Sequence, residues 1–296
     1  MSTSSAPPTV LAPEDLTLLR RLSLAHRRPA QGLLPGHRRS TRTARSPELA
    51  DFRPYAPGDD IRQIDWRAYG RLERLVVRLY VAEQESALNV VLDASESMAL
   101  GNPAKWPAAR RLAAAVAMLG LAAGDRVAVG ALDRTGPRAT HVRPGGGGAA
   151  RLLGFLGGLE PGGGAGADDL AELAWLRPGV TVVVSDFMFE ADWGPPLAGL
   201  RRRSQEPLLW QVLGPDEESP KLAGDVTLVE AESGRQREMT ITPRVLKEYL
   251  KNLAALRDGL RQSATSAGGL FLHTRSDDSL EAALAAAIRA GAVRRF

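Results

Sequence analysis

Two carboxylates in this chain stand at the ends of unbroken apolar runs. In "NVVLDASESM" the run stops at Asp93, and hydroxyls follow at Ser95 and Ser97. In "TVVVSDF" a second run stops at Asp186. A chain leaving a buried strand in extended form points alternate residues the same way, so Asp93, Ser95 and Ser97 converge. Two carboxylates and two hydroxyls make an all-oxygen set, suited to a hard divalent cation such as Mg²⁺ or Mn²⁺ that retains several waters. An ion so held is only partly neutralised and seeks an anionic oxygen from outside, so the site can bind a partner's carboxylate. On spacing alone, an Asp followed by Ser more often caps a helix start. The second strand-end acid is what favours a site, provided the two strands are neighbours.

Catalysis asks for more than these residues offer. A phosphatase of the haloacid dehalogenase type also carries Asp at the end of a buried first strand. It needs a second acid two residues on, and this chain has Ser95 there. Ser95 or Ser97 as a nucleophile needs a base. The histidines are His26, His37, His141 and His273, none in a Gly-x-Ser-x-Gly or other triad setting. A phosphate-ester hydrolase using Asp93 is therefore the runner-up to a non-catalytic module. The glycine runs Gly145–Gly148 and Gly162–Gly164 lack a following Lys-Ser/Thr and read as flexible connections, not phosphate loops.

The elements that must position these residues follow from the hydrophobic pattern. "ALNVVLD", "DRVAVGALD", "GVTVVVSDF", "PLLWQVL" and "GLFLHT" read as strands, several apolar on both faces. Between them lie helical stretches, among them "NPAKWPAARRLAAAVAMLGLAAGD", with Asn102 as N-cap, Pro103 at the first position and Gly124 just past the end. "VLKEYLKNLAALRDGLRQ" carries Leu246, Leu250, Leu253, Leu256 and Leu260 on one stripe. "DVTLVEAESGRQREMTIT" reads as a hairpin at a sheet edge. Trp66, Trp106, Trp175, Trp193 and Trp210 are expected to anchor cores, Trp66 tying the front of the chain to the sheet. Apolar strands separated by helices predict an α/β fold, a mostly parallel sheet with helices on both faces. Ligands then collect beyond the carboxyl ends of strands, where strand order reverses.

Three segments are expected along the 296 residues. Residues 1–12 form a Ser/Pro/Thr-rich disordered tail. Residues 13–79 hold a short amphipathic helix and an Arg-rich, largely irregular passage, including the "APGDD" turn and "IDW". Residues 80–296 form the α/β domain, against which the front segment is expected to pack. Net charge is +4, and residues 1–80 carry 14 Arg, no Lys and 8 acids, against 24 bases and 26 acids in the remainder. That basic front suggests a nucleic-acid binder as a third reading. No aromatic-interleaved or helix-turn-helix pattern accompanies it, and Arg62, Arg67 and Arg71 alternate with Asp59, Asp60 and Asp65 as in internal ion pairing. Lysine occurs only at positions 105, 221, 247 and 251. The absence of cysteine suits a reducing compartment. With no secretion signal and no spanning stretch visible, a cytoplasmic protein without a membrane partner is expected.

"GHRRSTRTARSPELADFRPYAPGDDIRQIDWRAYGRLERLVVRLYVAEQE" followed by "VVLDASESM" resembles the bacterial family called domain of unknown function 58. The likeness is dense over residues 36–133 and continues more loosely through "VVVSDF" and "TPRVLKEYL". It implies a von Willebrand factor A-like domain and a metal-ion-dependent adhesion site. Asp93, Ser95 and Ser97 match that site's Asp-x-Ser-x-Ser motif, and Asp186 matches its later acid. Where the site's usual threonine belongs, this chain has Asp168, which either adds a third carboxylate or takes no part. The resemblance further implies a protein–protein interaction module working with a MoxR-type AAA+ ATPase on client proteins, in protein-complex maturation.

Overall fold

The computed structural model describes residues 10–24, 49–57, 59, 61, 64–80, 87–133, 138–162, 166–188, 192–231 and 234–295. The first nine residues of the expected tail, most of the Arg-rich passage, Gly58 and Asp60 of the "APGDD" turn, and part of the second glycine run lie outside the described residues. In chain order the elements are α1 (Pro13–Leu19), β1 (Leu22–Leu24), β2 (Leu49–Pro54), α2 (Trp66–Leu72), β3 (Val76–Tyr80), β4 (Ala87–Asp93), α3 (Lys105–Ala123), β5 (Arg126–Leu132) and β6 (Ala139–Val142). There follow α4 (Gly148–Gly157), α5 (Ala167–Glu172), β7 (Gly179–Ser185), α6 (Gly194–Arg202), β8 (Gln205–Leu213), α7 (Pro215–Glu218), β9 (Gly224–Val229) and β10 (Gln236–Ile241). The chain closes with α8 (Pro243–Ser266), β11 (Leu270–Arg275), α9 (Leu280–Arg289) and β12 (Val293–Arg295).

Two units divide the chain, residues 27–85 and the remainder. The larger is built on a six-stranded sheet of order β11-β8-β7-β4-β5-β6. Its pairs are parallel except the edge strand β6, which runs antiparallel to β5. This is the α/β architecture expected, a mostly parallel sheet with helices on both faces. All seven residues of β4 are buried, which explains its apolar run. Leu88, Val90 and Leu92 face a cluster built from α1, α3, α4 and α9. Val91, alternating with them, joins Val183 and Leu209 against α5, α6 and α8. Gly120 lets α3 lie close to β4, since a Cβ there would stand 2.5 Å from Leu88 Cδ2. At Gly124 (φ 90°) the chain turns into the left-handed region and ends the helix.

Helix α3 starts later than the Asn-Pro pair predicts. Gly101 and Ala104 form a β-bridge, and Ala104 is the N-cap, with no side-chain cap bond. The first helical residue is therefore Lys105. The front of the chain is also divided differently from the segment 13–79. Helix α1 and strand β1 belong to the larger unit, where Leu19, Leu22 and Leu24 are buried, β1 pairs with β12, and Asp15 accepts two bonds from Arg111, at 2.6 and 2.8 Å. The β9–β10 hairpin forms its own two-stranded sheet rather than an edge of the main one. On α8 the leucine stripe buries Leu253 and Leu260, while Leu250 is exposed.

In the smaller unit β2 and β3 pair antiparallel, so strand structure reaches into the passage expected to be irregular up to Phe52. Asp65 caps α2, accepting from the N–H of Arg67 (2.9 Å) and of Ala68 (3.1 Å). Trp66 then leads the helix outward, 61% exposed and edge-on to Tyr69, so it is not the core anchor expected. Trp106, Trp193 and Trp210 are buried, and Trp175 is half-buried. Among the described residues no helix is long and apolar enough to cross a membrane.

Candidate functional site at the ends of β4 and β7

Strands β4 and β7 lie side by side in register, Val91 opposite Val183 and Leu92 opposite Val184, so their carboxyl ends finish level. From β4 the chain crosses through α3 to β5 on one side; from β7 it crosses through α6 to β8 on the other. Strand order therefore reverses between them, where open α/β sheets hold their ligands.

The acids at these two ends share one buried network. Asp93 is fully buried; its Oδ1 accepts the Ser95 N–H at 2.9 Å and its Oδ2 accepts the Ser185 hydroxyl at 2.5 Å. The Ser95 and Ser97 hydroxyl oxygens are 3.0 Å apart, and Ser97 donates to Asp186 Oδ2 at 2.9 Å. Asp186, also fully buried, accepts the Met188 N–H on Oδ1 at 3.0 Å. Gln211 holds the Asp186 carbonyl at 2.9 Å. Burial, and then the Asp186 charge beside it, push the Asp93 carboxyl up to about 6. Asp93, Ser95, Ser97 and Asp186 are thus brought together. Asp168 is exposed on α5 and, among the described residues, takes no part in this network.

Lys105, the first residue of α3, enters the same network. Its ammonium donates to Asp186 Oδ2 at 2.7 Å and to Glu217 Oε1 at 2.6 Å. The lysine and aspartate side chains are each 1% exposed, and the glutamate 21%. Burial opposes the lysine charge, but Asp186 and Glu217 outweigh it and hold the ammonium above its ordinary value. Glu217 reaches inward from α7, its Oε2 accepting the Gly214 N–H at 2.6 Å. Tyr249 of α8 donates to the Glu217 carbonyl at 2.7 Å. The next residue, Glu218, is paired with Arg257 and His273.

The oxygen set suits a hard cation in kind but not in its present arrangement. One oxygen, Asp186 Oδ2, already serves both the ammonium and Ser97. Unit charges about 4 Å apart interact by about 4 kcal/mol at an effective dielectric of about 20, and a divalent ion doubles that repulsion. A divalent ion on Asp186 and Ser97 would thus have to expel Lys105. With Asp168 outside as well, the residues fit a tethered ammonium and do not fit a hydrated divalent ion.

Residues 51–258 match the family described as "Protein of unknown function DUF58". The chain belongs to that family. Relatives of this DUF58 protein include an uncharacterised protein of Mycobacterium tuberculosis, 31% identical over 287 residues, spanning 92% of this chain and 89% of that one. An uncharacterised protein of Mycobacterium avium is 37% identical over 100 residues, covering 33% of this chain and 58% of its own. Among solved structures, the conserved hypothetical protein BatB from Bacteroides thetaiotaomicron is similar at 15% identity and a TM-score of 0.40, over 70% of this chain and 98% of that one. In this DUF58 protein the residue pattern reveals the four oxygen residues but not Lys105, Glu217 or Ser185. A signal for Lys105 was available. The other three lysines are exposed, whereas this one stands in the first turn of an apolar helix, against the helix dipole.

Proposed function

We propose that this DUF58 protein is a non-catalytic adaptor that binds an acidic group of a partner protein at the carboxyl ends of β4 and β7. The observation that carries the reading is the convergence of buried Asp93, Asp186 and Lys105 with part-buried Ser97 at the switch point. Asp93 is fully buried, and each of its oxygens already accepts a bond, from Ser95 or Ser185, so this carboxylate is not presented to a phosphoryl group arriving from solvent. Neither described histidine stands by the hydroxyls: His141 packs edge-on to Trp175, and His273 pairs with Glu218. The reading needs no divalent ion, because Lys105 supplies positive charge inside the pocket.

Family membership, rather than geometry, supports a MoxR-type AAA+ ATPase as the partner, with client proteins of complex maturation beyond it and a cytoplasmic setting. A pull-down with the full chain as bait, with and without EDTA, tests the reading alongside turnover of p-nitrophenyl phosphate. The expected result is capture of the ATPase regardless of EDTA and no turnover. Turnover that disappears in Asp93→Asn, or no ATPase in either condition, would overturn it.

A further inference from the structure

The ammonium of Lys105 lies between two carboxylates of different standing. Asp186 is sealed inside, while Glu217 is part-exposed and comes from a four-residue helix that caps the end of β8. Among the described residues, Glu217 is the part-exposed group that touches the ammonium, so a molecule arriving from solvent meets this acid first. Removing it uncovers a desolvated cation already balanced on its inner side by Asp186. An external carboxylate can take the place of Glu217 one for one, with no change in the charge of the site.

Helix α7 is fastened by groups that are not part of the strand-end set. Tyr249 holds the carbonyl of Glu217, and Arg257 with His273 holds Glu218. Arg257 is itself positioned by Gln211 at 2.9 Å, the residue that also holds the Asp186 carbonyl. The fastening of α7 and the backbone of the inner acid thus share one side chain.

We propose that Lys105 is the resident cation of the strand-end site, and that Glu217 sits in the seat an acidic side chain of a partner takes, so that α7 must release it before the partner binds. The proposal rests on the adaptor reading and deepens it, assigning both the chemical class of the ligand and an internal competitor for it. A small external carboxylate should therefore bind weakly to the wild-type chain and better once Glu217 is gone.

N-acetyl-glutamate amide is the probe, with N-acetyl-glutamine amide as its neutral control, titrated by ¹H–¹⁵N NMR on the full chain. Glu217→Ala and Glu217→Gln should each bind the glutamate probe about tenfold more tightly than wild type, the factor expected if the open form makes up about a tenth of the population. The glutamine probe should bind none of them. Lys105→Met in the Glu217→Ala background should abolish binding; if that double variant does not fold, the two Glu217 variants decide the matter alone. Equal affinity in wild type and both Glu217 variants would overturn the proposal. So would saturable Mn²⁺ binding to the wild-type chain that Asp186→Asn removes. Either result leaves ATPase capture untouched, and loss of that capture would count against the adaptor reading alone.

Discussion

Two polar networks lie on the same pair of strands, at opposite ends. Toward the start of β4 and β7, Asn89 and Thr181 face each other in register, both fully buried. The Asn89 amide donates to the Arg177 carbonyl (2.8 Å) and to the Thr181 hydroxyl (3.1 Å), and accepts the Arg177 N–H (3.1 Å). The Thr181 hydroxyl in turn donates to the Gln205 amide oxygen at 3.0 Å. These side chains are neutral, their main anchor is backbone, and they close the loop that leads into β7. At the far end the network is charged, joins side chains from six elements or their flanking turns, and reaches a part-exposed acid. Neutral amides bonded to backbone lock a connection in place. Buried charges held mainly by one another cost more to assemble, and removing one leaves the other stranded. The same two strands thus carry a fastening at one end and the candidate site at the other.

The largest effect expected is that of Lys105→Met. It leaves the Asp186 charge buried without its cation and should cost about 3–5 kcal/mol in urea unfolding. Adding Asp186→Asn should restore much of that loss. A cost below about 1 kcal/mol would mean that the charged network is not what distinguishes this end. Asn89→Ala should cost about 2 kcal/mol by stranding backbone groups of Arg177. Its penalty should stay the same from low to high salt and leave partner binding intact; any loss of binding would break the comparison.

A third network calibrates the pH response of a pair outside the site. Burial raises Asp15, but the bonds from Arg111 and from the Ala12 N–H outweigh it, so its carboxyl lies below the ordinary value. With a depressed folded value, its contribution is present above the unfolded value near 3.8 and is lost as pH falls through the folded one. The guanidinium is 42% exposed, so solvent screening reduces the effect, and Arg111→Ala should cost about 1–2 kcal/mol at pH 7. The gap between wild type and variant should narrow in unfolding curves taken below pH 4. The smallest stability effect is expected of Glu217→Ala, about 1 kcal/mol or less, because that side chain is part-exposed. A much larger loss on removing Lys105 than on removing Glu217 is the pattern expected if the outer acid exchanges and the inner cation stays.

Much of this architecture is legible in residue order. Doubly apolar strands ending in Asp93 and Asp186 announce a parallel sheet and two acids at its carboxyl edge, and alternation brings Ser95 and Ser97 toward them. The start of α3 was harder to read. Asn102-Pro103 has the chemistry of a helix start, but a local bridge delays the helix to Lys105, and that delay puts the lysine over Asp186. Glu217 was invisible because nothing in "GPDEESP" says which of three acids turns inward; its Oε1–ammonium contact exists only once β8 has placed α7. Asp168 stands where the family resemblance puts a threonine, and residue order leaves open whether it joins the site; it lies exposed on α5, while its neighbour Asp169 turns back to the N–H of Gly166, at 2.7 Å. Trp66 misled by type: an aromatic residue promises burial, but a capping Asp65 fixed the helix so that the ring points out.

At the end of the sheet a lysine ammonium, in place of a divalent ion, bridges Asp186 and Glu217. Crystals of the full chain grown with Mn²⁺ and measured at the manganese edge test this most directly. The expected map shows Lys105 Nζ bonded to Asp186 and Glu217 and no anomalous peak between β4 and β7. A peak coordinated by Asp93, Ser97 and Asp186, with the lysine turned away, would contradict it.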